Sequence, residues 1–178
     1  MFLEAANYQA ELTLPDGTEL AVRQITPADR EALARAFDRL SPRARELRFL
    51  TPKDRLSSRE LDYLTRIDHR THEALVAIEP ETGRWAAVAR YATAPPESRT
   101  AELAITVADQ WQSRGVGTGI CRLLVARAGA EGIATLEALT QPRNLACQVL
   151  LTKLGFEFRS YVDGLAHFDL ALEVAVAA

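Results

Sequence analysis

Gln112-Ser113-Arg114-Gly115-Val116-Gly117 is the stretch on which the reading of this chain turns. Ahead of it runs an apolar segment, Leu103 to Val107, patterned as a buried strand. Behind it Val116, Ile120, Leu123 and Leu124 recur at helical spacing, predicting a helix through Ala130. Strand, glycine-rich turn and helix in that order aim free backbone N–H groups at an anion. The expected donors run from Arg114 through Gly115, Val116, Gly117 and Thr118 to Gly119. Gly115 and Gly117 carry no Cβ, so a phosphate can come close and positive φ is open to them. Gln112 adds a side-chain amide and Arg114 a charge. The stretch lacks the Gly-Lys-Ser/Thr ending of a P-loop, and no acid on a following strand suggests a dinucleotide fold.

A second segment, Asn144 to Phe156, has a readable design of its own. Asn144 can cap a helix, Gly155 stands where a helix end favours a left-handed residue, and Phe156 can pack back. Between the two segments there is room for the rest of the first helix, a strand from Ala134 to Thr140 and a short loop. The pattern Gln/Arg-x-x-Gly-x-Gly/Ala, followed by an Asn-opened helix closed by Gly-Phe, resembles the signatures of the GNAT superfamily, the acyl-CoA-dependent N-acyltransferases. The resemblance covers about Glu19 to Leu172. It implies a single-domain α/β fold, with a central mixed and splayed sheet, helices on both faces, and a pantetheine arm admitted at the splay. It further implies acetyl-CoA as co-substrate. The pyrophosphate would lie over Arg114 to Gly119 and the pantetheine along Ile105, Thr106 and Val107. Asn144 and Lys153 on the later helix complete the cofactor contacts that the resemblance implies.

Composition sets the frame. The chain has 178 residues, 48% hydrophobic and 25% charged, with a net charge of −3, which suits one globular domain and argues against general nucleic-acid affinity. No apolar run is long enough to span a bilayer, and residues 1–10 show no signal-peptide pattern. Cys121 and Cys147 read as small hydrophobes of a reducing, cytoplasmic compartment rather than as a disulfide. The arginines between Arg39 and Arg70, interleaved with acids, read as a solvated helical surface. Residues 1–9 are expected as a flexible leader, 10–175 as the acyltransferase domain and 176–178 as a tail.

The rest of the chain punctuates itself. Pro15-Asp16-Gly17 predicts a hairpin turn between strands near Ala10–Leu14 and Thr18–Gln24. Thr26 followed by Pro27 opens a helix whose buried face is Leu33, Phe37 and Leu40; a second helix follows from Arg43 to Leu50. Ser57 with Glu60 forms a capping box for a third. Strands are expected at Ala74–Glu79, Arg84–Thr93, Thr100–Ala108, Glu157–Val162 and His167–Leu172. Alternation of strands and helices in the second half argues for a layered α/β sheet.

An amine is charged at neutral pH and cannot attack a thioester until a proton is removed. Glu102 is the candidate base. It shares a strand face with Ala104 and Thr106, opposite Leu103, Ile105 and Val107, so it reads either as a desolvated carboxylate with a raised pKa or as a strand-end glutamate reaching solvent. The run Thr100 to Val107 before the glycine turn, Leu40-Ser41-Pro42 through Arg48-Phe49-Leu50, and Ile67-Asp68 ahead of Glu73 to Val76 together resemble bacterial protein lysine acetyltransferases of the Pat type. In that group the residue matching Glu102 is the base, and the acceptor is a protein lysine. A small-molecule amine acceptor and a non-catalytic acyl-CoA-binding module stand as alternatives; monomer and homodimer are both open. One departure supports the last alternative: the tyrosine with which many of these enzymes protonate the leaving thiolate is Leu151 here, leaving Cys147 and Tyr161 as nearby donors. His69 and His72 do not have the His-Glu-x-x-His spacing and no third ligand cluster accompanies them, so no metal is expected.

Overall fold

The computed structural model describes residues 8–173. The leader expected at 1–9 therefore lies outside the described residues except for Tyr8 and Gln9. The tail at 176–178 lies wholly outside them. The described residues form eight strands and five α-helices: β1 (Gln9–Thr13), β2 (Glu19–Gln24), α1 (Arg30–Asp38), α2 (Pro42–Phe49), α3 (Ser58–Thr65), β3 (His72–Ile78), β4 (Trp85–Thr93), β5 (Thr100–Val107), α4 (Val116–Ala130), β6 (Thr135–Thr140), α5 (Leu145–Lys153), β7 (Glu157–Val162) and β8 (Leu165–Ala171). Among them no helix is long and apolar enough to cross a membrane.

Local chemistry explains most boundaries. The Pro15-Asp16-Gly17 turn closes the β1–β2 hairpin, with Gly17 at φ 82° and the Asp16 carboxylate accepting from Thr18 N–H at 3.0 Å. Thr26 and Asp29 form a capping box, but the first turn after Pro27 is 3₁₀ and the α-helix starts only at Arg30. Ser41 caps α2 by accepting from Ala44 N–H, and Ser57 with Glu60 caps α3 reciprocally.

The strands make one mixed sheet in the order β1-β2-β3-β4-β5-β6-β8-β7. On one face Leu75, Ala89, Tyr91 and Leu103 pack against Ile120 and Leu124 of α4. On the other Ala74, Val76 and Trp85 meet Leu33 of α1 and Leu61 and Leu64 of α3. Each fully buried leucine or isoleucine of these layers stabilises by about 1.5–3 kcal/mol.

A buried polar network clamps β3 to α4. Glu73, 0% exposed, accepts from Gln24 Nε2 at 2.8 Å, its own neighbour Ala74 N–H at 2.9 Å and Arg127 at 3.1 and 3.2 Å, and it meets His69 Nδ1 at 2.8 Å. Burial alone would raise its pKa; the bonds from His69 and Gln24 outweigh that and hold it below the ordinary carboxylate range.

Adjacent β5 and β6 run parallel and pair only through Thr100–Thr135, Ala101–Leu136 and Glu102–Glu137. Beyond that point β5 continues to Val107 and β6 to Thr140 without pairing, so the sheet splits. Leu103 to Val107 keep a strand partner on the β4 side alone.

Candidate active site

Glu102 stands at the vertex of this split. Its side chain is exposed, which corrects the reading of a carboxylate desolvated beside an apolar strand. The cause is the register: Glu102 lies opposite Glu137 on the neighbouring strand, and two carboxylates facing one another keep water between them. Strand alternation holds as expected, with Leu103 buried against α4 and Glu102 on the face that carries Ala104 and Thr106.

The far end of the split is the glycine turn. Ser113 (φ 60°) and Gly115 (φ 91°) are both left-handed, and the latter is the N-cap of α4. The N–H groups of Arg114, Gly115, Val116, Gly117 and Thr118 meet no acceptor among the described residues, so five donors converge at the head of a fifteen-residue helix. Gly119 drops out of the expected set, because its N–H bonds Gly115 O at 3.0 Å. Gly117 is small for a second reason: a Cβ there would lie 2.7 Å from Leu150 Cδ1 of α5 and 3.4 Å from Val107 Cγ2. The missing side chain lets α4 seat against α5 and β5, which brings the turn up to Ile105 and Val107 as the expected site requires.

Arg114 is committed elsewhere. It bonds Asp16 at 2.8 and 3.2 Å and Thr18 Oγ1 at 3.0 Å, and lies 4.3 Å from the Trp111 ring centroid. Those bonds hold the Asp16 carboxyl well below the usual range and pin the β1–β2 hairpin beside the turn. Gln112 donates to Val107 O at 3.3 Å. Asn144 uses its Oδ1 to cap α5 through Cys147 N–H at 3.2 Å. Lys153 is exposed on the last turn of α5, roughly 13 Å along the axis from Asn144.

Above the split, α2 is tied to the chain that follows both diverging strands. Ser41 bonds Asp109 after β5 at 2.7 and 3.0 Å, and Glu46 pairs with Arg143 after β6. Leu151, at the position matched to the usual tyrosine, is 0% exposed in the core. Cys147, one turn earlier, has its thiol pKa pushed up by burial and so keeps its proton; Tyr161 is 66% exposed on β7.

Two arginines that the sequence reading did not single out face the same side of the sheet as Glu102. Arg90 on β4 is 6% exposed, opposite Ala104, and donates to Leu64 O and His72 Nε2. Arg48 on α2 and Arg90 line one cavity between the sheet and the helices α1–α3. A charge inside the alanine-rich strand Trp85–Thr93 was the signal available in the sequence.

His72 carries a measurable consequence. Burial first, then the charge of Arg90, pushes its imidazole down to about 4. It accepts from Arg90 at 3.1 Å and so is neutral when folded. Between pH 6.5 and about 4 the unfolded chain binds a proton here that the folded chain refuses, so stability falls as pH falls through that window. The urea midpoint should correspond to about 2 kcal/mol less stability at pH 5 than at pH 7.5, and His72→Gln should remove most of that difference. An unchanged difference in the variant would assign it to other groups. Among the described residues no group of three or more His, Cys, Asp or Glu is placed to hold a metal ion.

Comparison with known proteins agrees with this geometry. The family model "Acetyltransferase (GNAT) domain" matches residues 19–157. Acetyltransferase PA5475 of Pseudomonas aeruginosa is 33% identical over 146 residues, 81% of this chain and 78% of that protein. Acetyltransferase Pat of Mycolicibacterium smegmatis is 30% identical over 95 residues, 53% of this chain and 28% of that longer protein. The GNAT domain of S. lividans PAT superposes with a TM-score of 0.85 at 30% identity, covering 92% of this chain and 97% of that domain. With a split mixed sheet and an open-ended helix beside it, and a family model spanning most of its length, the chain belongs to the GNAT acetyltransferase family and is an acyltransferase.

Proposed function

We propose that this enzyme moves an acetyl group from acetyl-CoA to the side-chain amine of a protein lysine, with Glu102 as the base. The observation that carries the reading is the alignment along one cleft of the unpaired donors at Arg114–Thr118, the free β5 edge from Leu103 to Val107, and Glu102 at its vertex. Phosphates would lie on the donors, the pantetheine along the free edge, and the thioester next to Glu102. The carboxylate takes a proton from the ammonium, directly or through water, and the freed amine attacks the thioester carbonyl carbon. A C–N bond forms, a backbone N–H near Ile105 stabilises the oxyanion, and its collapse breaks the C–S bond. The thiolate is a fair leaving group, and with Leu151 apolar it takes, through water, the second proton that the attacking nitrogen sheds on becoming an amide. Similarity to the Pat protein and to the S. lividans PAT domain favours a lysine over a small amine. The reading puts the enzyme in the cytoplasm, where its free cysteines stay reduced.

Acetyl-CoA at about 100 times its Kd should stabilise the protein by about 2.7 kcal/mol, raising Tm by roughly 5–11 °C, and NAD should not. Equal stabilisation by NAD would overturn the cofactor site. Turnover with lysine-bearing proteins set against small amines then decides the acceptor: far faster acetylation of a small amine would overturn the lysine assignment.

A further inference from the structure

Beneath α1–α3, on the Glu102 side of the sheet, lies a cavity of about 60 Å³, lined by Leu33, Phe37 and Trp85 and by Arg48, Arg90 and Thr106. That space holds about four to six waters, enough for a carboxylate with one or two methylenes. Its two cations lack an anion. Arg90 donates only to neutral acceptors, Leu64 O at 3.3 and 3.4 Å and His72 Nε2 at 3.1 Å. Arg48 finds no hydrogen-bond partner among the described residues and lies 4.9 Å from the Phe49 ring centroid. Neither guanidinium forms a salt bridge with a carboxylate among the described residues, although Glu102 attracts Arg48 at longer range. Burial disfavours both cations and each repels the other. Guanidinium groups do not shed their proton at neutral pH, so the strain stays as uncompensated charge.

An apolar cavity that holds two cations and no anion is built for an anion that arrives with a substrate. We propose that Arg48 and Arg90 bind a substrate carboxylate in this cavity, beside the reacting centre. The placement rests on Glu102 as the catalytic end of the cleft. Arg90 lies opposite Ala104, the next residue on the Glu102 face and about 7 Å along β5 from the base; the β5 lining of the cavity starts one step further, at Thr106, and Arg48 is close enough to Glu102 to feel its charge. A carboxylate held there on planar donors is close enough to belong to either reactant. It is the far end of a dicarboxylic acyl group, as in succinyl-CoA, or an acidic group on the acceptor amine.

The test uses Arg48→Met, which keeps length and apolar fit and leaves the Arg90 bonds to α3 intact. Glutarate at millimolar concentration should raise the Tm of the wild-type protein and not of the variant, while the shift with CoA is the same in both. No glutarate shift in the wild type, or the same shift in both proteins, overturns the proposal and leaves the acetyl-CoA reading standing; loss of the CoA shift alone would bear on that reading instead. Kinetics then assign the source. In one arm succinyl-CoA is compared with acetyl-CoA on a neutral amine. In the other acetyl-CoA is offered with amines differing only as carboxylate and carboxamide. A loss of at least tenfold in kcat/KM for the carboxylate member of one arm, with its neutral counterpart changed less than threefold, supports the proposal and names the reactant. Parallel changes in all four substrates overturn it. The ligand-free variant should also melt higher than the wild type, since an uncompensated, half-buried cation is gone; a lower Tm would mark Arg48 as structural and overturn the proposal.

Discussion

Glu102→Gln should lower turnover with acetyl-CoA by about 10²–10⁴, the usual contribution of general base catalysis, while the Kd for CoA stays within about twofold of wild type. Glutamine keeps the size and hydrogen-bonding outline of the side chain but cannot take the ammonium proton. Affinity is spared because the phosphate donors lie on a separate segment, Arg114–Thr118. Little structural disturbance is expected at an exposed side chain that makes no hydrogen bond to the rest of the described chain. Steady-state release of free thiol measures the first quantity and calorimetric titration the second. Turnover near the wild-type rate would transfer the role to a water held by backbone carbonyls; joint loss of CoA binding and activity would mark Glu102 as part of the frame.

Glu73→Ala should cost about 3 kcal/mol, the low end for breaking a buried ion pair because Arg127 keeps Glu131 at 3.2 Å, and should lower Tm by roughly 6–12 °C. Arg127 would lose both of its bonds to Oε2, and Gln24 and His69 would lose theirs. The sign with pH follows from the depressed folded pKa: the stabilisation is present above the ordinary carboxylate range and is lost as pH falls through the folded value. The variant should therefore show a weaker acid dependence below pH 4.5 as well as a lower plateau at pH 7. Thermal melts at the two pH values check both. A plateau within 1 kcal/mol of wild type would show that the network contributes packing rather than charge pairing.

The parts of the site that were legible are those specified within a few residues. The glycine turn, the Asn144 cap and the Ser57–Glu60 box each depend on neighbours in sequence, and each formed as read. So did the split sheet, because the two motifs carry the family resemblance. Long-range partners were not legible. Nothing near Arg114 announces Asp16, 98 positions away, and nothing near Gly117 announces Leu150 on another helix. For Glu102 the sequence left burial and exposure both open, because its exposure depends on Glu137 across the split. Arg48 was folded into a charged surface run, although the helix turns it inward over β4 and β5. Patterning reports which face of a helix is apolar, not which cation finds an anion there.

The three-pair seam between β5 and β6 is the shortest ladder in the sheet, and it joins a five-stranded β1–β5 section to a three-stranded β6–β8 section. Beyond the seam, the two sections communicate mainly through the packing of α4 and α5. The backbone is therefore thinnest at this seam, and what holds the two sections together there is the shared core, in which Leu103 of β5, Leu136 of β6 and Phe168 of β8 belong to one buried cluster with α4. With acetyl-CoA across the split, as proposed, its contacts on both banks would stand in for the missing backbone ladder.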